Sequence, residues 1–140
     1  MATAALDLGA KRIGIAVTDA AGISAHPLCT IERRSPSADF EAIRLALEKR
    51  HLECIVVGLP VNIDGSEGPM ARHARNFAAR LADALKVRVE LQDERLSSFE
   101  AEHRLAGTVR RGRMKSAIDA VAAAVILEGW LEARRARERG

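Results

Sequence analysis

Asp7, Asp119 and the pair Asp93-Glu94 are acids in places where acids are costly or pointed. Asp7 interrupts the apolar run Ala4–Leu8, and period-two alternation turns it away from the face that Leu6 and Leu8 use. Asp119 interrupts Ala117-Ile118-Asp119-Ala120-Val121, a stretch with the look of a buried helix, with Lys115 one turn before it as a possible ion-pair partner. Asp93-Glu94 directly follows a strand-like segment, and spacing alone does not choose between the two. Acids on three separate elements can meet at one end of a sheet. Oxygen ligands of this hardness suit Mg²⁺ or Mn²⁺. Two such ions about 4 Å apart activate a water and stabilise the leaving oxygen in phosphodiester cleavage.

Other chemistries find less support. The chain has no G-x-x-x-x-G-K-[ST] phosphate loop and no G-x-S-x-G elbow. His26, His51, His73 and His103 lack metal-ligand spacing, and Cys29 and Cys54 are isolated, as free thiols in a reducing compartment would be. Aromatic content of 3% provides no base-stacking platform, so contact with nucleic acid must rest on charge and metal. The net charge is only +3, but it is clustered at Glu32-Arg33-Arg34, Arg110-Arg111-Gly112-Arg113 and Arg134-Arg135-Ala136-Arg137. Such clusters suit a phosphate polymer and equally suit ordinary solvated surface. No signal-peptide pattern is visible, and the longest apolar stretch, Ala120–Leu127, is far below the roughly 20 residues of a membrane span. The expectation is a cytoplasmic protein with no membrane partner, its 140 residues forming one nuclease domain.

The elements that would position these acids follow from pattern. Ala4–Leu8, Arg12–Asp19 and Ile23–Arg33 read as three strands joined by turns at Gly9-Ala10-Lys11 and Ala20-Ala21-Gly22. Ser37 is placed to cap a helix from Ala38 to about Arg50, with Phe40, Ile43 and Leu47 on one face. Cys54–Leu59 is apolar throughout, as a central strand buried on both faces must be. Pro69 opens a second helix with Met70, Ala74, Phe77, Leu81 and Leu85 as its stripe. Val87–Leu91 reads as a fifth strand. Ser97 and Glu100 form a capping box for a short helix to about Leu105, and Gly107–Arg113 reads as a basic loop. A long Ala-rich helix spans about Met114 to Arg135, with Trp130 as core or dimer contact. The order β-β-β-α-β-α-β-α-α implies an α/β fold with a five-stranded mixed sheet flanked by helices, the order of the ribonuclease H fold.

The same residues resemble a known family. Leu6-Asp7-Leu8-Gly9 with Lys11-Arg12-Ile13-Gly14-Ile15-Ala16-Val17, Val57-Gly58-Leu59-Pro60, Asn62 with Asp64-Gly65-Ser66-Glu67-Gly68-Pro69, Asp93-Glu94-Arg95-Leu96-Ser97-Ser98, and Lys115-Ser116 with Ile118-Asp119-Ala120 run in family order along nearly the whole chain. This pattern resembles the YqgF/RuvX family, described both as Holliday junction resolvases and as pre-16S rRNA nucleases. The resemblance implies a ribonuclease H-like fold and a divalent-metal nuclease. It matches Asp7 to the family's first-strand acid, Asp119 to its last-helix acid and Glu94 to the acid of its Asp-Glu-Arg-Leu-Ser block. It implies trimming of the 5′ end of the small-subunit rRNA precursor, resolution of four-way DNA junctions, or both.

The catalytic and metal-holding expectation is therefore Asp7, Glu94 and Asp119 with Mg²⁺ or Mn²⁺. Lys11 and Arg12, beside Asp7, are expected to touch phosphate or to be plain hairpin charges. Arg110, Arg111, Arg113 and Lys115 are the expected nucleic-acid grip, and Asn62, Asp64 and Ser66 either line the substrate groove or cap the next helix. Symmetric cutting of a junction would need two sites and hence a homodimer. Two other classes remain open. One is a non-catalytic nucleic-acid-binding factor in ribosome assembly or transcription. The other is an actin-like or sugar-kinase ATPase, whose phosphate loop resembles Asp7-Leu8-Gly9 but whose paired domains need a longer chain.

Overall fold

In a computed structural model of the chain, residues 1–94 and 111–139 are described, the side chains of 111–117 excepted. Strands β1 (Ala2–Leu8), β2 (Arg12–Thr18) and β3 (Ala25–Glu32) lead to helix α1 (Pro36–Leu47). Strand β4 (Leu52–Leu59), helix α2 (Pro69–Leu85), strand β5 (Val89–Asp93) and helix α3 (Arg111–Arg139) follow. The sheet order is β3-β2-β1-β4-β5. Strand β1 is antiparallel to β2 and parallel to β4, and β4 is parallel to β5. This mixed sheet between helices is the ribonuclease H-like architecture expected. The short helix expected from Ser97 to Leu105, and Gly107–Arg110 of the expected basic loop, lie outside the described residues.

Where element ends differ from expectation, local chemistry explains it. The cap of α1 is Ser35, not Ser37: its Oγ accepts from the Ala38 N–H at 3.3 Å, and Pro36 takes the first helical position, where no N–H is needed. The helix stops at Leu47, whose carbonyl accepts from Arg50 N at 3.0 Å in a closing turn. The α2 stripe is Ala71, Ala74, Phe77, Ala78 and Leu81, while Met70 is 53% exposed. Lys86 ends that helix in a left-handed conformation, its N–H donating to Ala82 O, and this delays β5 to Val89. Helix α3 begins at Arg111, so Arg111–Arg113 are helical and not loop.

Alternation divides the sheet into two faces. Leu6, Leu8, Ile13, Ile15, Val17, Ile55, Val57 and Leu59 pack with Phe40, Ile43, Phe77 and Leu81 of α1 and α2. Ala5, Ala16, Cys54 and Val56 pack with Ala123, Ala124, Ile126, Leu127, Trp130 and Leu131 of α3. The second face is built from smaller strand residues, so α3 can approach the sheet closely. Trp130 is part of that core, its Nε1–H donating to Glu90 Oε1 at 3.3 Å. No helix among the described residues is long and apolar enough to cross a membrane.

Candidate active site

Asp7 shares the α3-facing side of the sheet with Ala5, and a glycine lies beside it on each neighbouring strand. On β2, Asp7 pairs with Gly14. On β4, Leu6 pairs with Val57, which brings Gly58 alongside one residue further on. Both glycines are gaps through which another element reaches the sheet. A Cβ on Gly14 would stand 1.9 Å from the Asp119 backbone O, and one on Gly58 would stand 2.5 Å from Glu94 Oε2 and 2.6 Å from Ile126 Cδ1. Asp119 therefore lies over one flank of Asp7 and the Glu94 carboxyl over the other.

Strand β5 sets Asp93 and Glu94 on opposite sides of the sheet. Asp93 pairs with Leu59, which faces α1 and α2, and is itself exposed. Glu94 is one residue on, so it turns to the Asp7 side, and its N–H donates to Leu59 O at 3.2 Å. The Glu94 carboxyl reaches Asp7 and donates a hydrogen bond to it. Burial first, then the Asp7 charge and that hydrogen bond, pushes Glu94 up to about 9. Burial also raises Asp7, the bond from Glu94 opposes this, and the Asp119 charge adds to it. Two carboxylates in contact hold one proton between them. Glu94 Oε2 is buried with no hydrogen-bond partner in the structure. An oxygen-only donor set with an orphaned, buried carboxylate oxygen fits a hard divalent cation.

Raised folded-state values fix the sign of a pH effect. Stability from a carboxyl raised in the fold is fully present below its unfolded value, near 4.5 for Glu94, and is lost as pH climbs through about 9. In chelator the melting temperature should fall steadily between those limits, and Glu94→Gln should flatten the slope. An unchanged slope in that variant, measured by circular dichroism, would exclude Glu94 as its source.

Asp119 makes a different contact. Its Oδ2 accepts from Arg12 Nε at 2.8 Å, with the two side chains 19% and 33% exposed respectively. Among the described residues no three metal-ligating side chains close into one group. The structure thus brings Asp7 and Glu94 into contact and sets Asp119 beside them, engaged by Arg12. Lys11 is exposed on the turn next to Asp7. Arg111, Arg113 and Lys115 occupy the first turns of α3, which leads to Asp119, while Arg110 lies outside the described residues. Asn62 Nδ2 donates to Ser66 Oγ at 2.9 Å and Ser66 N donates to Asp64 Oδ1 at 2.9 Å, so these three tie up their own loop and do not cap α2, whose N-cap position is Gly68.

Sequence reasoning passed over Arg33. It lay in a basic cluster read as a phosphate contact or solvated surface. Its side chain instead donates to Gly9 O at 2.9 Å, approaches Asp39 Oδ2 at 3.7 Å and lies over the Phe77 ring. Asp39 is 3% exposed and also accepts from Arg34 N at 2.8 Å. Arg33 thereby pins the turn after Asp7 to both helices. Arg33→Ala should cost about 2 kcal/mol, as loss of a partly buried charged donor does. Urea unfolding checks this, and a cost near zero would make Arg33 mere surface. Arg134 is likewise occupied, by Glu53 at 2.6 Å and by Glu138 at 3.4 Å.

Known proteins of similar sequence and fold identify the family. The family model for RuvX, described as Holliday junction resolvase, matches residues 1–133. A Myxococcus xanthus protein named as a proposed pre-16S rRNA nuclease is 47% identical over 136 residues, 96% of this chain and 90% of its own length. One from Anaeromyxobacter sp. strain K, of the same name, is 50% identical over 135 residues, 96% of this chain and 98% of its own. Among solved structures, Thermus thermophilus RuvC superposes with a TM-score of 0.56 at 17% identity, covering 97% of each chain, which speaks for the fold. With a family match along nearly its whole length and relatives about half identical to it, the chain belongs to the RuvX family.

Proposed function

We propose that Asp7, Glu94 and Asp119 form the divalent-cation centre of a nuclease that hydrolyses phosphodiester bonds in structured nucleic acid. The observation that carries this reading is the setting of Asp7 between two glycine gaps, each overlain by one of the other acids. Mg²⁺ or Mn²⁺ bound there would supply water activation and stabilisation of the leaving oxygen. The chain's own residues do the rest. Asp7 and Glu94 give up their shared proton on loading, so uptake of the ion should release protons. Lys11 meets a flanking phosphate. Arg110, Arg111, Arg113 and Lys115, which precede Asp119 in sequence, are the proposed nucleic-acid grip.

The substrates proposed are the rRNA precursor, which the relatives' names point to, and the four-way DNA junction, which the family description points to. A homodimer is proposed for the junction, because two symmetric cuts need two sites. A single nuclease domain acting in the cytoplasm completes the reading. The test is parallel cleavage of precursor rRNA and four-way junction with Mg²⁺, Mn²⁺ or chelator. Cation-dependent cutting of either supports the nuclease.

The engagement of Asp119 by Arg12 favours one second reading, a nucleic-acid-binding factor without catalysis. Tight binding with no cutting under any cation would establish it and remove the first.

A further inference from the structure

Arg12 is the first residue of β2 and stands at the end of the turn that follows Asp7. Its backbone is held, since Gly9 N donates to Arg12 O at 2.8 Å and Arg12 pairs with Glu32 of β3. Asp119 is held as firmly, its own backbone lying over Gly14. The 2.8 Å contact between Arg12 Nε and Asp119 Oδ2 therefore joins two fixed elements 107 residues apart in sequence. Such a contact is specific, unlike an exposed pair on one flexible helix.

We propose that Arg12 holds Asp119 in the metal-free protein and yields it to the divalent cation, so that loading frees the guanidinium for a phosphate of the nucleic acid. The inference rests on the functional reading above. A guanidinium on Oδ2 and a divalent cation on the same carboxylate repel each other, so the two compete for Asp119. Arg12 is 33% exposed, which leaves it solvent to swing into. Once released it stands next to Lys11 beside Asp7, and a planar guanidinium is well suited to bind phosphate. Metal loading and substrate contact are thereby linked through one side chain.

The test uses the full chain stripped with chelator and titrated with Mn²⁺ by calorimetry. Removing a competitor that is engaged about 90% of the time tightens apparent affinity about tenfold. Arg12→Gln should show that gain, Arg12→Lys less of it, and Asp119→Asn should weaken binding. Melting curves of each variant establish that it is folded, and Arg12→Lys serves if Arg12→Gln is not. A second readout needs no metal. In EDTA, Arg12→Gln and the native chain should bind a fluorescent four-way junction within about twofold, because Arg12 is occupied by Asp119. Unchanged Mn²⁺ affinity in the Arg12 variants, beside a native site that Asp119→Asn weakens, overturns the exchange and leaves the metal centre standing. So does a large loss of junction binding in EDTA on Arg12→Gln. Failure of every form to bind Mn²⁺ overturns both the exchange and the functional reading.

Discussion

Asp7→Asn is expected to abolish cation-dependent cleavage, by about a thousandfold or more, while the chain stays as stable in chelator as before. A thousandfold corresponds to about 4 kcal/mol of barrier. The amide fills the same space between Gly14 and Gly58 and still accepts the hydrogen bond from Glu94, so packing is preserved. It removes a negative charge that burial and Asp119 both disfavour. Near pH 8 the unloaded variant should therefore melt no lower than the native chain, and the upward shift that Mn²⁺ gives the native chain should vanish. These two measurements separate the roles of Asp7. A lower melting temperature in chelator would make Asp7 a structural residue. Full cleavage by the variant would move the chemistry elsewhere.

The sheet and the identity of its central acid were legible because strands write themselves in period two. Leu6, Asp7 and Leu8 state both that β1 is buried and that one acid faces the other way. The residue pattern left Asp93 and Glu94 undistinguished, and only the family resemblance favoured Glu94, because the strand boundary sets the phase. A strand ending at Leu91 leaves both acids in a turn, whereas pairing through Leu59–Asp93 carries the alternation on to Glu94. Arg12–Asp119 and Arg33–Asp39 were hidden for another reason. Ion pairs between elements depend on how helices settle on the sheet, which no local pattern records. Gly14 and Gly58 did leave a signal: a glycine inside an otherwise branched, apolar strand marks a close approach. Both stood in the family blocks, and their place on either side of Asp7 becomes visible only with the register.

Gly14→Ala should be among the most damaging single-methyl additions in the chain. The new Cβ would lie 1.9 Å from Asp119 O, 2.2 Å from Asp119 C and 2.8 Å from Ala120 N. All three are backbone atoms of α3, so no side-chain rotation relieves the clash and the helix itself must lift from the sheet. Overpacking of this kind costs about 3 kcal/mol, which for a chain of this size lowers the melting temperature by roughly 10 °C. Lifting α3 also withdraws Asp119 from Asp7, so Mn²⁺ binding should weaken in whatever fraction remains folded. Gly58→Ala offers the contrast, since its Cβ meets the ends of two side chains, Glu94 Oε2 and Ile126 Cδ1. Those can turn aside, so stability should fall less while cleavage falls sharply, because the Glu94 carboxyl is what moves. Gly129→Ala, within α3, meets nothing closer than Gln92 Nε2 at 3.4 Å and should be neutral or stabilise by up to about 1 kcal/mol. If Gly14→Ala melted like Gly129→Ala, α3 could not lie on β2 as closely as described. The juxtaposition of Asp119 with Asp7 would then lose its structural basis.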